Sequence, residues 1–188
     1  MPGLTSGWTS VSRFESSSCA TNSAGESKCW GGNWYAQNGN GTTSNRNAPF
    51  NGTDANDNAS PVNVLAASSG ARDTVTGYSG SCTLKTSGDL ICWGHPWTRG
   101  AGVTSEITLT SNVVMLAGVS AATLSTHNCA LQGTDLKCWG YDGESNLGGI
   151  GTQYVPFTFA TGVSQFALGD WHTCYVSTAG AVKCIGYN

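Results

Sequence analysis

The sequence predicts an all-β protein of four tandem, four-stranded antiparallel units of β-propeller type, each closed by its own hairpin disulfide. Three observations predict it. The eight cysteines fall into four pairs, Cys19 with Cys29, Cys82 with Cys92, Cys129 with Cys138 and Cys174 with Cys184, with nine, nine, eight and nine residues between partners. The residues around each pair recur, and the second cysteines stand 63, 46 and 46 residues apart, a spacing that marks an array of similar units. Short β-rich runs bounded by Gly, Ser, Asn and Pro precede each pair, and no helical periodicity interrupts them.

Each pair reads as a hairpin. Between Cys174 and Cys184 apolar ends flank a small-residue turn at Gly180, and between Cys129 and Cys138 the turn centres on Gly133 and Thr134. Residues directly opposite on antiparallel strands have Cα atoms about 4.5–5.5 Å apart, within reach of a disulfide. CxxC knuckles, which a zinc ribbon would need, do not occur. A disulfide closing so short a loop contributes roughly 2–3 kcal/mol, and such bonds persist outside the reducing cytosol.

The remaining elements follow in chain order. Two strand-like runs stand before each first cysteine: residues 2–4 and 9–14, then 61–65 and 73–76, then 112–116 and 119–124, then 155–159 and 163–168. The expectation is one repeat domain over 1–188, with blades near 2–60, 61–110, 111–155 and 156–188. It is either a complete small propeller or an arc of a larger one. Residues 36–60 lengthen the first unit as an Asn- and Gly-rich surface loop. The three Asn-x-Ser/Thr sequons, at Asn40, Asn51 and Asn58, fall in it and are candidate glycosylation sites.

Composition narrows the function. Charged residues make up 10% of the chain, against roughly a quarter in an average soluble protein. Eight scattered Lys and Arg and a net charge of −3 exclude the concentrated basic face that nucleic acid requires. There is no apolar run of about 18 residues, so no membrane-inserted helix is expected. The opening residues carry neither a basic n-region nor an apolar h-region, so a secretion signal is expected outside this sequence.

The segments His127-Asn128-Cys129-Ala130-Leu131, Lys137-Cys138-Trp139-Gly140-Tyr141 and Leu147-Gly148-Gly149-Ile150-Gly151-Thr152 resemble the regulator-of-chromosome-condensation repeat family. So do Gly169-Asp170-Trp171-His172-Thr173-Cys174 and Cys29-Trp30-Gly31-Gly32-Asn33, and the likeness covers nearly the whole chain. The paired cysteines make it more similar to the secreted members. The resemblance implies a β-propeller, usually of seven blades, with the strand histidines His127 and His172 buried against the next blade. Ser17 and Gly80 stand where units one and two lack that histidine.

No catalytic constellation is expected. His95 lies in a loop without a nucleophile, no Ser-His-Asp arrangement is recognisable, and the eleven acidic residues sit mostly in turns. Gly148 to Gly151 lacks the Lys-Ser/Thr of a phosphate loop. The run from Asp54 to Asn58 imitates the start of a calcium loop but lacks its Gly and Glu. No cofactor or metal is expected. Trp30, Trp93 and Trp139 are expected between blades, and Trp34, Trp97, Trp171 and Phe166 at an interface.

The expected function is a non-enzymatic, extracellular or cell-surface interaction module, a self-assembling subunit of a fibre, coat or sheath. Its outer faces would carry Val11, Phe14 and Cys19 at one end and Phe166, Leu168, Val176 and Val182 at the other. The alternative is a binder or inhibitor of a single extracellular protein, as the family's propeller inhibitors of β-lactamases are. Guanine-nucleotide exchange on a small GTPase, the family's founding activity, ranks below both, because it belongs to a reduced nuclear protein.

Overall fold

The structure is a computed structural model and describes residues 4, 6–39, 62–65, 70–99 and 114–187. Among the described residues, regular structure is all β apart from one four-residue helix, α1 (Pro96–Arg99). The first sheet takes β1 (Trp8–Phe14), β2 (Ser17–Asn22), β3 (Ser27–Gly31) and β4 (Val62–Leu65). The second takes β5 (Ala71–Thr76), β6 (Gly80–Lys85), β7 (Leu90–Gly94) and β8 (Val114–Leu116). The third takes β9 (Val119–Leu124), β10 (His127–Gln132), β11 (Asp135–Gly140) and β12 (Gln153–Ala160). The fourth takes β13 (Val163–Leu168), β14 (His172–Ser177) and β15 (Val182–Gly186). All strands run antiparallel in chain order, so each sheet is one propeller blade.

All four expected disulfides form, each between directly paired residues of a hairpin with Cα atoms 4.0–4.1 Å apart. They are compatible with an oxidising compartment. No helix among the described residues is long and apolar enough to cross a membrane.

The glycine after each second cysteine has a steric reason. Gly31, Gly94, Gly140 and Gly186 all take positive φ, and a Cβ on Gly31 or Gly186 would collide with the carbonyl of Ser16 or Trp171. Only glycine fits where that strand ends against the start of the hairpin.

One set of expected strands pairs elsewhere. The runs near 61–65, 112–116 and 155–159 were expected to open units two, three and four. They form β4, β8 and β12, which instead pair with β3, β7 and β11 and close units one, two and three. Alternation shows that a run is a strand but not which sheet edge it joins. The sheets therefore change over after Leu65, Leu116 and Ala160, one strand later than expected near 60, 110 and 155. Leu4, in the run expected as the first strand, lies outside regular structure.

The blades stack by one rule. The amide that starts a new blade donates to the hairpin turn of the blade before: Ala71 to Gly25 at 3.3 Å, Val119 to Gly88 at 2.8 Å, Val163 to Thr134 at 2.9 Å. Each blade then lays its disulfide side on the opposite side of its successor. Between blades two and three, Cys82, Leu84, Leu90 and Cys92 bury Ala130 and Trp139. Between blades three and four, Cys129, Leu131, Leu136 and Cys138 pack against Phe166, Leu168 and Tyr175.

The first junction follows the same geometry with different chemistry. Cys19 and Cys29 meet Trp93, but Thr21 and Ser27 replace the leucines. Their hydroxyls join Thr74 and Thr83 in a buried network with oxygens 2.7–3.1 Å apart. Ser17, Thr76 and Ser81 extend it, with links of 2.8 and 3.0 Å.

Burial separates the disulfides. Cys19–Cys29, Cys82–Cys92 and Cys129–Cys138 lie buried between blades, whereas Cys184 is exposed on the last one. Thiolate attack needs access to sulfur. Under limiting reductant we expect Cys174–Cys184 to open first, read by alkylation and peptide mapping. Earlier labelling of Cys82 or Cys92 would contradict this blade order.

Candidate functional site

Two regions carry chemistry: the free faces at the ends of the blade stack, and one row of aromatic rings. The stacking rule leaves blade one with the side opposite its disulfide and blade four with its disulfide side. On blade one, Val11 pairs with Ala20, and Ala20 with Lys28, so the three share a face with Trp30. Val11 is 73% exposed. Leu4, Trp8, Val11, Ala20 and Trp30 line a groove of about 370 Å³ there, and the Lys28 ammonium lies 5.6 Å from the centroid of Trp8. On blade four, Val176 pairs with Val182 beside Cys174 and Cys184, and Val182 is 69% exposed.

Several residues expected at the outer faces lie inside. Phe166 and Leu168 pack against the core of blade three, because Phe166 pairs with Tyr175 on the side that faces inward. Cys19 points at blade two, and Phe14 pairs with Ser17 on that same inner side. Val11, Val176 and Val182 keep their expected places.

His127 is fully buried, and its Nε2 lies 2.7 Å from Thr173 Oγ1 on blade four. That hydroxyl donates to the carbonyl of Asn146 at 2.7 Å, so it accepts from an Nε2–H, and the other nitrogen, Nδ1, has no partner among the described residues. His127 is thus buried against the next blade as expected, and its link to the Asn146 carbonyl is relayed through a threonine. Burial lowers the His127 pKa to about 4; Asp142 opposes the shift and His172 adds slightly to it. His172, at the equivalent position, is exposed because no further described blade covers it.

This has a measurable consequence. Between pH 6.5 and about 4 the unfolded chain binds a proton at His127 that the folded chain does not. Stability therefore falls as pH drops through that window, by about 3 kcal/mol at most. Replacing His127 with Gln should flatten this limb in urea titrations at pH 7 and pH 4.5; an unchanged slope would show that other groups govern it.

The aromatic row lies where the hairpins open, away from their turns. Consecutive ring centroids are 5.9 Å apart for Tyr78 and Tyr35, 5.4 Å for Tyr35 and His95, and 4.5 Å for His95 and Trp97. The row continues at 5.3 Å to Tyr141 and 6.3 Å to Trp171. All four blades contribute. Tyr35, Tyr78, Trp97, Tyr141 and Trp171 line a cleft of about 390 Å³ together with Glu15, Thr126 and Asp170. Tyr35 beside it holds the Tyr78 phenol above its ordinary pKa, with burial and Glu15 adding to the shift.

Of the expected interface residues, the structure brings Trp97 and Trp171 together in this cleft. Trp34, 62% exposed, lines a smaller hollow beside it with Glu15, Tyr35 and Tyr78. Phe166 belongs to the interior. Asn40, Asn51 and Asn58 lie outside the described residues, as do the calcium-like residues 54–58. The three tyrosines were missed in the sequence, although a signal was present. Tyr35 and Tyr141 follow a second cysteine, and Tyr78 precedes a first one, which places all three at the same end of their hairpins. Among the described residues no three His, Cys, Asp or Glu gather to hold a metal ion.

No family model and no curated protein sequence matches the chain. Solved structures do. Yeast RCC1 (Prp20) in its complex with Kap60 superposes with a TM-score of 0.68 at 16% identity, over 95% of this chain and 43% of that one. Human WBSCR16 gives 0.70 at 16% identity, over 95% and 47%. The computationally designed Ika4 protein gives 0.51 at 10% identity, over 100% and 96%. A separate Prp20p structure from Saccharomyces cerevisiae, described with its binding to Gsp1p and histones, gives 0.67 at 16% identity. The chain has the RCC1-like propeller fold, as expected, and spans under half the length of the RCC1 and WBSCR16 chains.

Proposed function

We propose that this chain is a non-catalytic protein-interaction module that assembles head to tail with copies of itself, as a subunit of an extracellular fibre, coat or sheath. The observation that carries it is the match between the two end faces. Blade four offers Val176, Val182 and a disulfide, as blade two offers Leu84, Leu90 and a disulfide at the second junction. Blade one offers Val11 and the half-buried Trp30 beside an already buried Ala20, at the positions that Ala122, Ala130 and Trp139 hold on blade three. A second copy can thus repeat the apolar kind of junction the chain already makes twice. Burying each large apolar side chain contributes about 1.5–3 kcal/mol, and such a heterologous contact gives rings or filaments according to whether its rotation closes.

A second reading draws on the neighbours. Prp20 is described with Kap60, Gsp1p and histones, all proteins other than itself. The same end faces would then hold one foreign extracellular protein, as an inhibitor does. Light scattering across a concentration series separates the two. Mass that rises with concentration supports self-assembly, and a constant 19.4 kDa at high concentration overturns it.

A further inference from the structure

We propose that the aromatic cleft binds a small organic cation with a quaternary or methylated ammonium head and no anionic group, of which choline is the simplest example. The site lies at the hairpin ends, apart from the sheet faces of the assembly, and does not rest on that reading.

The shape comes first. The rings that line it meet at 41° between Tyr35 and Tyr78, 31° between Trp97 and Tyr141, and 67° between Tyr141 and Trp171. Rings turned this way wall a hollow; a sugar ring would instead need a flat, exposed platform. Aromatic faces carry partial negative charge, and several around one volume attract a bulky, weakly hydrated cation. The cleft of about 390 Å³ holds such a head with room for a short substituent.

The charge comes second and fixes the sign of the ligand. Apart from the phenols, the ionisable groups lining the cleft among the described residues are the carboxylates of Glu15 and Asp170, and no described Lys or Arg lines it. Glu15 sits in the turn from β1 to β2 at a φ of 43°, on the side of Tyr78, and Asp170 precedes Trp171 in the turn from β13 to β14. One carboxylate therefore stands by each end of the ring row. Asp170 is also tied to the third blade, its Oδ1 accepting from Ser125 Oγ at 3.4 Å and its carbonyl from the Thr126 hydroxyl. A phosphate or carboxylate on the ligand would meet only like charge, so choline is favoured over phosphocholine and glycine betaine.

The test is a calorimetric titration of the oxidised chain with choline, phosphocholine and the uncharged isostere of choline, dimethylbutanol, with tryptophan fluorescence in parallel. We expect saturable choline binding at about millimolar Kd or tighter, and at least tenfold weaker binding of the other two. Glu15→Gln combined with Asp170→Asn should weaken choline about tenfold and leave dimethylbutanol unchanged. Trp171→Ala should weaken both, with the thermal midpoint showing that each variant is folded. No saturable choline binding, equal affinity for the isostere, or saturation by a neutral saccharide in its place would each overturn the assignment.

Discussion

An equimolar mixture of Val11→Asp and Val182→Asp chains is expected to form a dimer, while each variant alone should stay a monomer. Each substitution places a carboxylate on one end face only. The Val11→Asp chain keeps its blade-four face, and the Val182→Asp chain keeps its blade-one face. Together they make one sound contact and no more, so growth stops at two chains. A buried, unpaired carboxylate costs several kcal/mol, so each variant alone should lose at least about 100-fold in association constant. Both positions are largely exposed in the single chain, so its own stability should change little. Light scattering reads the result as twice 19.4 kDa for the mixture. If the wild type assembles and the mixture does not dimerise, the contact is not head to tail.

Trp139→Ala lowers chain stability by about 3–5 kcal/mol, whereas Trp30→Ala costs about 1 kcal/mol or less. The two residues hold the same position in their repeats, directly after the second cysteine. Trp139 is fully buried in the core between blades two and three, and its Nε1–H donates to the Thr98 carbonyl at 2.9 Å. Removing it opens a cavity and strands that carbonyl. Trp30 lies half-buried on the free face of blade one. In thermal unfolding the Trp139 variant should melt roughly 6–20 °C below the wild type. Trp30→Ala should instead reduce association. Equal losses of stability would mean that something already covers the face of blade one.

The comparison of these two tryptophans also shows what was legible. The repeat, the disulfide pairing and the strands could be read because cysteine spacing and alternation are local. Which face a residue presents to which neighbour could not, because it depends on the order of stacking. Trp30 and Trp139 look alike in sequence and differ in structure for that reason. Phe166 was misplaced on the same account: its strand was right and its side was not. The closing strands were assigned to the wrong blade because the long connections before them, 32–61 and 95–113, hide which edge the chain returns to. The aromatic row was half legible. Its tryptophans stand out singly in the sequence, and the tyrosines join them only where the four hairpin ends stand side by side.

The hydroxyl junction between blades one and two bears on fidelity. In an assembling population, the last blade of one chain could intrude between the first two blades of another and exchange places with the first. It would bring Val176 and Val182 to Thr74 and Thr83, whose hydroxyls now bond with Thr21 and Ser27. Each hydroxyl left unpaired there would cost about 1–3 kcal/mol, whereas on the outer face of blade one Val176 and Val182 would meet the side chains of Val11 and Trp30. In the proposed assembly, addition at the end is thereby favoured over invasion, so every chain would keep its own first blade however long the array became.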